Sequence, residues 1–110
     1  MQKDPNIFLA HILESIEWIE KEIKGLSKDR FINDVPTQDA AIRRLEIIGE
    51  AVKNLTTEFK KKYPDISWKK ISGLRDKLIH DYFGIDLELV WTIIKKDLPP
   101  FKKQVKRMLF

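Results

Sequence analysis

The sequence predicts an all-α fold, an antiparallel bundle of four to five helices in a single domain spanning residues 1–110. Apolar residues recur at alternating steps of three and four, which is the period of an α-helix. No segment alternates apolar with polar residues as a half-buried strand does. A chain of 110 residues, 43% of them apolar and only four of them glycine, is long enough to bury one core.

The first helix is predicted over residues 4–25. Asp4 provides an N-terminal cap, and Pro5 is a residue that favours the first helical turn. One apolar stripe runs along this helix, through Ile12, Ile16, Ile19, Ile23 and Leu26. Residues 27–35 begin with Ser27, another capping residue, and predict a short helical turn before Pro36.

The second helix is predicted over residues 37–61, opened by Pro36 or Thr37. Its apolar stripe again steps by four and three, through Ala41, Leu45, Ile48, Val52, Leu55 and Phe59. Two such stripes can pack against each other at a shallow crossing angle, as in antiparallel bundles.

A third helix is predicted over residues 68–82, because Pro64 interrupts the chain before it. Asp86 then caps a fourth helix, whose apolar residues are Leu87, Val90, Trp91 and Ile94. Pro99 and Pro100 either kink this helix or split it before the chain ends in FKKQVKRMLF. Trp68 and Trp91 are expected to anchor the core or an interface, and His11 to be structural or exposed.

Composition excludes several classes of site. The chain has no cysteine, which rules out disulfides, thiolate zinc sites and cysteine nucleophiles. Two histidines cannot bind a metal without carboxylate ligands, so we expect no metal site and no cofactor. No apolar run approaches the roughly 18 residues of a membrane span, and charges interrupt the N-terminus where a signal peptide would be apolar. A cytoplasmic protein without a membrane partner is expected.

Charge is unevenly distributed along the chain. Residues 1–55 carry 8 Lys and Arg against 10 Asp and Glu, a net charge of −2, whereas residues 56–110 carry 13 against 7, a net charge of +6. A basic surface of this kind can attract phosphates. It can equally be a solvated lysine face, and charge alone does not decide between the two.

The segment RDKLIHDY contains the residues best suited to chemistry, Arg75, His80 and Tyr82. Arginine offers a planar fork that matches phosphate, and histidine transfers protons near neutral pH. Together they could cleave RNA without a metal, through base-assisted attack of a ribose 2′-hydroxyl on the adjacent phosphorus. Surface ion pairs with Asp76 and Asp81, or helix capping, explain the same residues without catalysis, and residue chemistry alone favours that explanation.

Spacing adds a condition on this site. Five residues at 100° each place Arg75 and His80 about 140° apart around a regular helix, so they do not share one narrow face. A cleft between two copies of the helix would bring both to one ligand. We therefore hypothesise a homodimer with composite sites.

The motif resembles the R-x4-H-x-Y signature of HepT-like proteins, a branch of the HEPN superfamily. The resemblance extends to TQDAAIRRLEIIGEAVKNL at residues 37–55 and to residues 63–99, with Asp76 where that family often has asparagine. It implies a HEPN-like bundle that dimerises through the motif-bearing region. It also implies a metal-independent endoribonuclease toxin of a type VII-like toxin–antitoxin pair, with Arg75 and His80 catalytic and a tRNA or an mRNA as substrate.

The resemblance further implies a partner, an MntA-like minimal nucleotidyltransferase antitoxin. That enzyme would use ATP to transfer AMP to Tyr82, whose added phosphate would compete with substrate beside Arg75 and His80. An alternative is a non-catalytic subunit that binds a nucleotide or presents a substrate to a separate nucleotidyltransferase. A purely structural oligomerisation module is a third.

Polar residues on the second helix and before it are candidates for a supporting role. Arg43, Glu46 and Glu50 step by three and four and form a polar stripe. This stripe is either a ladder of intrahelical salt bridges or a set of groups, together with Asp34 and Asp76, that orient the site or contact the antitoxin.

Overall fold

The structure is a computed structural model that describes residues 4–80 and 86–109, without the side chains of residues 75 and 78–80. These described ranges contain helices and no β-strand, which confirms the predicted all-α class. In chain order the helices are α1 (Pro5–Ile23), α2 (Lys28–Ile32), α3 (Val35–Lys53), α4 (Thr57–Lys61), α5 (Trp68–His80), α6 (Leu87–Thr92) and α7 (Leu98–Leu109). Within the described ranges, α1, α3, α5 and α7 are the long helices of the bundle.

The beginnings of α1 and α2 follow the predicted capping residues. The Asp4 carboxylate accepts the backbone N–H of Asn6 at 2.9 Å, and Pro5 takes the first helical position, where its missing N–H costs nothing. The chain leaves α1 before Gly25, whose φ of +77° lies in the left-handed region. Ser27 caps α2, accepting the backbone N–H of Arg30 at 3.2 Å.

The predicted helix over residues 37–61 is wrong at its C-terminal end. The structure ends α3 at Lys53 and begins a separate helix, α4, at Thr57. Asn54 ends α3 by turning its side-chain amide back to the Glu50 carbonyl, at 2.9 Å. Thr56 then caps α4, its hydroxyl accepting the backbone N–H of Phe59 at 3.1 Å. These local hydrogen bonds compete with helix continuation, so the apolar stripe runs on while the helix does not.

The core lies where α3 packs against α1 on one side and α5 on the other, with α7 against α1. The first stripe is buried there from Ile12 to Ile23 and the second from Ala41 to Leu55, while Leu26 and Phe59 are half-buried. Each fully buried leucine or isoleucine side chain contributes about 1.5–3 kcal/mol relative to exposure. The core residues with no exposed surface are Leu9, Ile12, Ile16, Ile19, Phe31, Ala41, Leu45, Ile48, Val52 and Val105. His11 on α1 is exposed, as expected.

Contacts along α5 lead back along the chain. At the beginning of α5, the Trp68 indole N–H donates to the backbone carbonyls of Lys60, at the end of α4, and of Tyr63, at 3.2 and 3.1 Å. Eight residues later on α5, Asp76 meets Lys53 at the end of α3. The chain therefore turns back on itself between α4 and α5, as in the predicted antiparallel bundle.

The C-terminal part is helical but not regular. Asp86 caps α6 by accepting the N–H of Leu89 at 3.1 Å, as predicted. Residues Ile93–Asp97 form a π-helical segment, in which the Leu98 N–H donates to the Ile93 carbonyl. Pro99 and Pro100 then lie in the first turn of α7. The backbone stays helical without interruption from Leu87 to Leu109, so these prolines do not split the helix, and a π-helical segment precedes them instead.

Candidate active site

The motif helix α5 carries Arg75 and His80 on its C-terminal half and is described as far as His80. Along the helix axis the two residues are separated by five rises, about 7.5 Å. The side chains of Arg75 and His80, and all of Tyr82, lie outside the described part of the chain. Convergence of the arginine and the histidine on one ligand therefore stays a prediction, as does the extension of the helix to residue 82.

Asp76, next to Arg75, forms an ion pair with α3. Both carboxylate oxygens lie 3.0 Å from Lys53 Nζ. The aspartate side chain is 53% exposed and the lysine side chain 36%, so solvent screens the attraction, and the pair contributes at most about 1 kcal/mol. The pair marks where the end of α3 meets α5, one turn before His80.

Two residues of the polar stripe on α3, Glu46 and Glu50, lie on the same side of that helix as Lys53, which contacts the motif helix. They are within about 60° of Lys53 around α3, as helical geometry requires for steps of seven and three. Glu50 is exposed. Arg43 is exposed and Glu46 half-buried.

Asp34 is separated from this region within one chain. Its carboxylate caps α3, accepting the Thr37 N–H at 3.1 Å. Sixteen residues at 1.5 Å each place it about 24 Å along the helix from Glu50. The predicted supporting set thus divides into Asp76, Glu46 and Glu50 beside the motif helix and Asp34 at the far end of α3.

Lys53 was not predicted to lie beside the motif helix. Its position three residues after Glu50 continues the polar stripe and is the signal that could have identified it. Tertiary packing is still needed to make Asp76, 23 residues away, its partner.

Metal and membrane features can be stated for residues 4–80 and 86–109. No group of three His, Asp or Glu among the described side chains, which do not include that of His80, is arranged to hold a metal ion. No helix in these ranges combines the length and the apolar character that a membrane crossing needs. Elsewhere in the basic half of the chain, burial lowers the pKa of the Lys60 ammonium below its usual value.

Comparison with known proteins adds a family match. The family model described as "Ribonuclease HepT-like" matches residues 12–108. The chain is 41% identical over 108 residues to the "Probable ribonuclease HepT" of Thermococcus cleftensis, covering 98% of each chain. It is 47% identical over 107 residues to "Putative RNase TTE0752" of Caldanaerobacter subterraneus subsp. tengcongensis, covering 97% of this chain and 96% of that one.

A longer relative is also similar. The chain is 50% identical over 109 residues to "Gamma-glutamylcyclotransferase and putative RNase MJ0434" of Methanocaldococcus jannaschii. The match covers 99% of this chain but 49% of that protein, so the chain spans about half of that relative's length. No solved structure matches the chain with significance.

Proposed function

Because the chain belongs to the ribonuclease HepT-like family, we propose that it is an endoribonuclease with Arg75 and His80 as its reactive residues. The observation that carries this proposal is the near full-length similarity to relatives named as ribonucleases. Both residues stand on α5, which contacts the end of α3 through the Lys53–Asp76 ion pair.

The reaction follows from the chemistry of the two side chains. The His80 imidazole takes the proton of a ribose 2′-hydroxyl, and the freed oxygen attacks the adjacent phosphorus. The bond from phosphorus to the 5′-oxygen of the next nucleotide breaks, and that oxygen takes up a proton. One product then ends in a 2′,3′-cyclic phosphate and the other begins with a 5′-hydroxyl. The Arg75 guanidinium binds the phosphate oxygens, where negative charge develops in the transition state.

A homodimer completes the site in this proposal. Arg75 and His80 are about 140° apart around α5, so a groove between two motif helices allows both to reach one phosphate. Glu46 and Glu50, on the same side of α3 as Lys53, would orient the cationic groups of the site. Asp76 would support the site in a similar way, through its contact with Lys53.

Purified protein is expected to cut single-stranded RNA in the presence of EDTA, because the mechanism uses no metal ion. The same sequence made of DNA should remain intact, because it lacks the attacking 2′-hydroxyl. Mass spectrometry of the fragments should find the 2′,3′-cyclic phosphate. Cleavage of the DNA, or activity that appears only when a divalent metal is added, would contradict the mechanism. Nucleotide binding without any cleavage would instead favour a non-catalytic subunit.

The proposal includes a toxin–antitoxin role in the cytoplasm. An MntA-like nucleotidyltransferase would neutralise the ribonuclease by transferring AMP from ATP to Tyr82, two residues after His80. The added phosphate is negatively charged and bulky, so it would occupy the Arg75 guanidinium and exclude the RNA phosphate. The chain itself carries no nucleotidyltransferase motif, so this activity belongs to the partner.

Tyr82 is expected to gain the mass of an adenylyl group when the protein is incubated with ATP and the partner enzyme. Tyr82→Phe should show no such gain in intact-mass spectrometry, since the acceptor hydroxyl is gone. The chain's other tyrosine offers a matched control, and Tyr63→Phe should be modified like the unaltered protein. An unshifted mass with an active partner, or modification that survives in Tyr82→Phe, would remove Tyr82 as the acceptor.

A further inference from the structure

A groove of about 240 Å³ lies between the α4–α5 connector and the last turns of α7. It stands at the opposite end of α5 from the catalytic motif. Twelve residues separate Trp68 from His80, about 18 Å along the helix. The groove is therefore distinct from the reactive residues. The side chains that matter for its chemistry are Lys62, Tyr63, Ile66, Gln104, Arg107 and Met108.

Positive charge converges on this groove from both of its walls. Lys62 and Arg107 line it and are exposed. Lys61 adjoins one wall, while α7 carries four basic residues and no acidic one. Asp65 is the carboxylate among the lining residues. In the described part of the chain, lysines 28, 53, 70 and 102 form ion pairs with carboxylates, and Lys62 and Arg107 do not.

The two walls are held in place by Trp68. Its indole N–H donates to the carbonyls of Lys60 and Tyr63, which fixes the connector from within. Its ring packs edge-on against Phe101 of α7, with ring centroids 6.3 Å apart. The backbone that carries Lys62 and Arg107 is thus held in place before a ligand binds. This preorganisation lowers the entropic cost of binding.

The groove offers more than charge. Tyr63 is half-buried and packs against Phe59 at a centroid distance of 5.2 Å. Ile66 is buried, Met108 is half-buried, and the Gln104 amide adds a polar group that can both donate and accept. An aromatic and apolar floor beside two cations suits a nucleotide, because its base is flat and apolar on its faces and its phosphate is anionic.

We propose that this groove binds the sugar-phosphate backbone of single-stranded RNA, with Lys62 and Arg107 on phosphate and Tyr63 beside a base. This inference rests on the proposed ribonuclease function and adds to it a substrate-holding surface several nucleotides from the bond that is cut. The groove holds the RNA and takes no part in the chemistry.

Fluorescence anisotropy with a labelled single-stranded RNA of about 20 nucleotides tests the proposal, with RNA binding measured in a His80→Ala background so that the RNA stays intact. Adding Lys62→Glu and Arg107→Glu should weaken binding at least about tenfold near 0.1 M salt. It should also lower the slope of log affinity against log salt by about 1.4, the value for two lost phosphate contacts on a single strand. Lys62→Gln with Arg107→Gln, which removes the two charges without reversing them, should weaken RNA binding less than the glutamate substitutions do.

Lys24→Glu with Lys96→Glu is the matched control, because it makes the same change in net charge at two exposed positions outside the groove. It should keep most of the affinity, and thermal unfolding should show that all variants fold. Equal affinity and equal salt slope for the groove and control variants would overturn the inference. Tighter binding of a polyglutamate peptide than of RNA would also overturn it, in favour of an acidic protein partner.

The two proposals fail separately. If the unaltered protein cuts no RNA but its RNA affinity depends on Lys62 and Arg107, the groove is supported and the nuclease function falls. If the protein cuts RNA and its RNA affinity does not depend on these two residues, the nuclease function is supported and the groove assignment is wrong.

Discussion

Replacing His80 by alanine is expected to lower the rate of RNA cleavage about 100- to 10,000-fold, the usual contribution of a general acid or base. Without the imidazole, no side chain takes the 2′-hydroxyl proton as the oxygen attacks phosphorus. The measurement is single-turnover cleavage of a short RNA with protein in excess, which separates the chemical step from RNA binding and product release.

His11 supplies the control for this experiment, since it is the chain's other histidine and is exposed on α1. His11→Ala should cleave at the rate of the unaltered protein. If His80→Ala also cleaves at that rate while remaining folded, His80 has no role in proton transfer. A slower rate in both variants would indicate contaminating nuclease or general damage to the protein.

Replacing Phe31 by alanine is expected to lower the free energy of unfolding by about 3–5 kcal/mol. Phe31 has no exposed surface, and its ring packs against Trp91 at a centroid distance of 5.2 Å. Its carbonyl also accepts the side-chain amide of Gln38 at 2.8 Å. Because α2 is only five residues long, it cannot be stable alone and depends on this packing to join α1 to α3 and α6.

Urea unfolding followed by circular dichroism measures this loss. Ile7→Ala is a suitable control, because Ile7 is a large apolar residue that is 48% exposed and should lose far less on truncation. A loss below about 1 kcal/mol for Phe31→Ala would mean that the short helix is not a stabilising part of the core.

The long helices could be predicted from the sequence because burial imposes a period. The stripe from Ile12 to Ile23 and the stripe from Ala41 to Val52 are both buried as predicted. The same apolar period also led to the wrong prediction that one helix continues past the end of α3. Leu55 is buried and Phe59 packs on the core, so the stripe continues across the break. Only the capping residues Asn54 and Thr56 distinguish the two helices from one.

The irregular C-terminal segment shows a different limit. Pro99 and Pro100 identify a discontinuity, because neither can donate a backbone hydrogen bond. The sequence does not reveal that the change begins earlier, in the π-helical residues Ile93–Asp97. That conformation depends on how Ile93 and Ile94, both buried, fit the surrounding core.

For the site, the sequence identifies chemical types better than spatial relations. Arg75 and His80 stand out by their side-chain chemistry, but a 140° separation around the helix does not itself bring them to one ligand, and a homodimer is the assembly that we propose for this. The capping role of Asp34 was not predicted, because the sequence indicated Pro36 or Thr37 as the start of this helix, whereas the structure begins it at Val35. The contact of Asp76 with Lys53 depended on the packing of α5 against α3, which no local pattern specifies.

The indole of Trp68 changes how the stretch between α4 and α5 should be regarded in protein engineering. Connectors without regular secondary structure usually accept inserted tags or new termini. Here, lengthening residues 62–67 would move Trp68 away from the two carbonyls it serves and from Phe101. This short connector therefore belongs with the parts of the chain whose length is fixed.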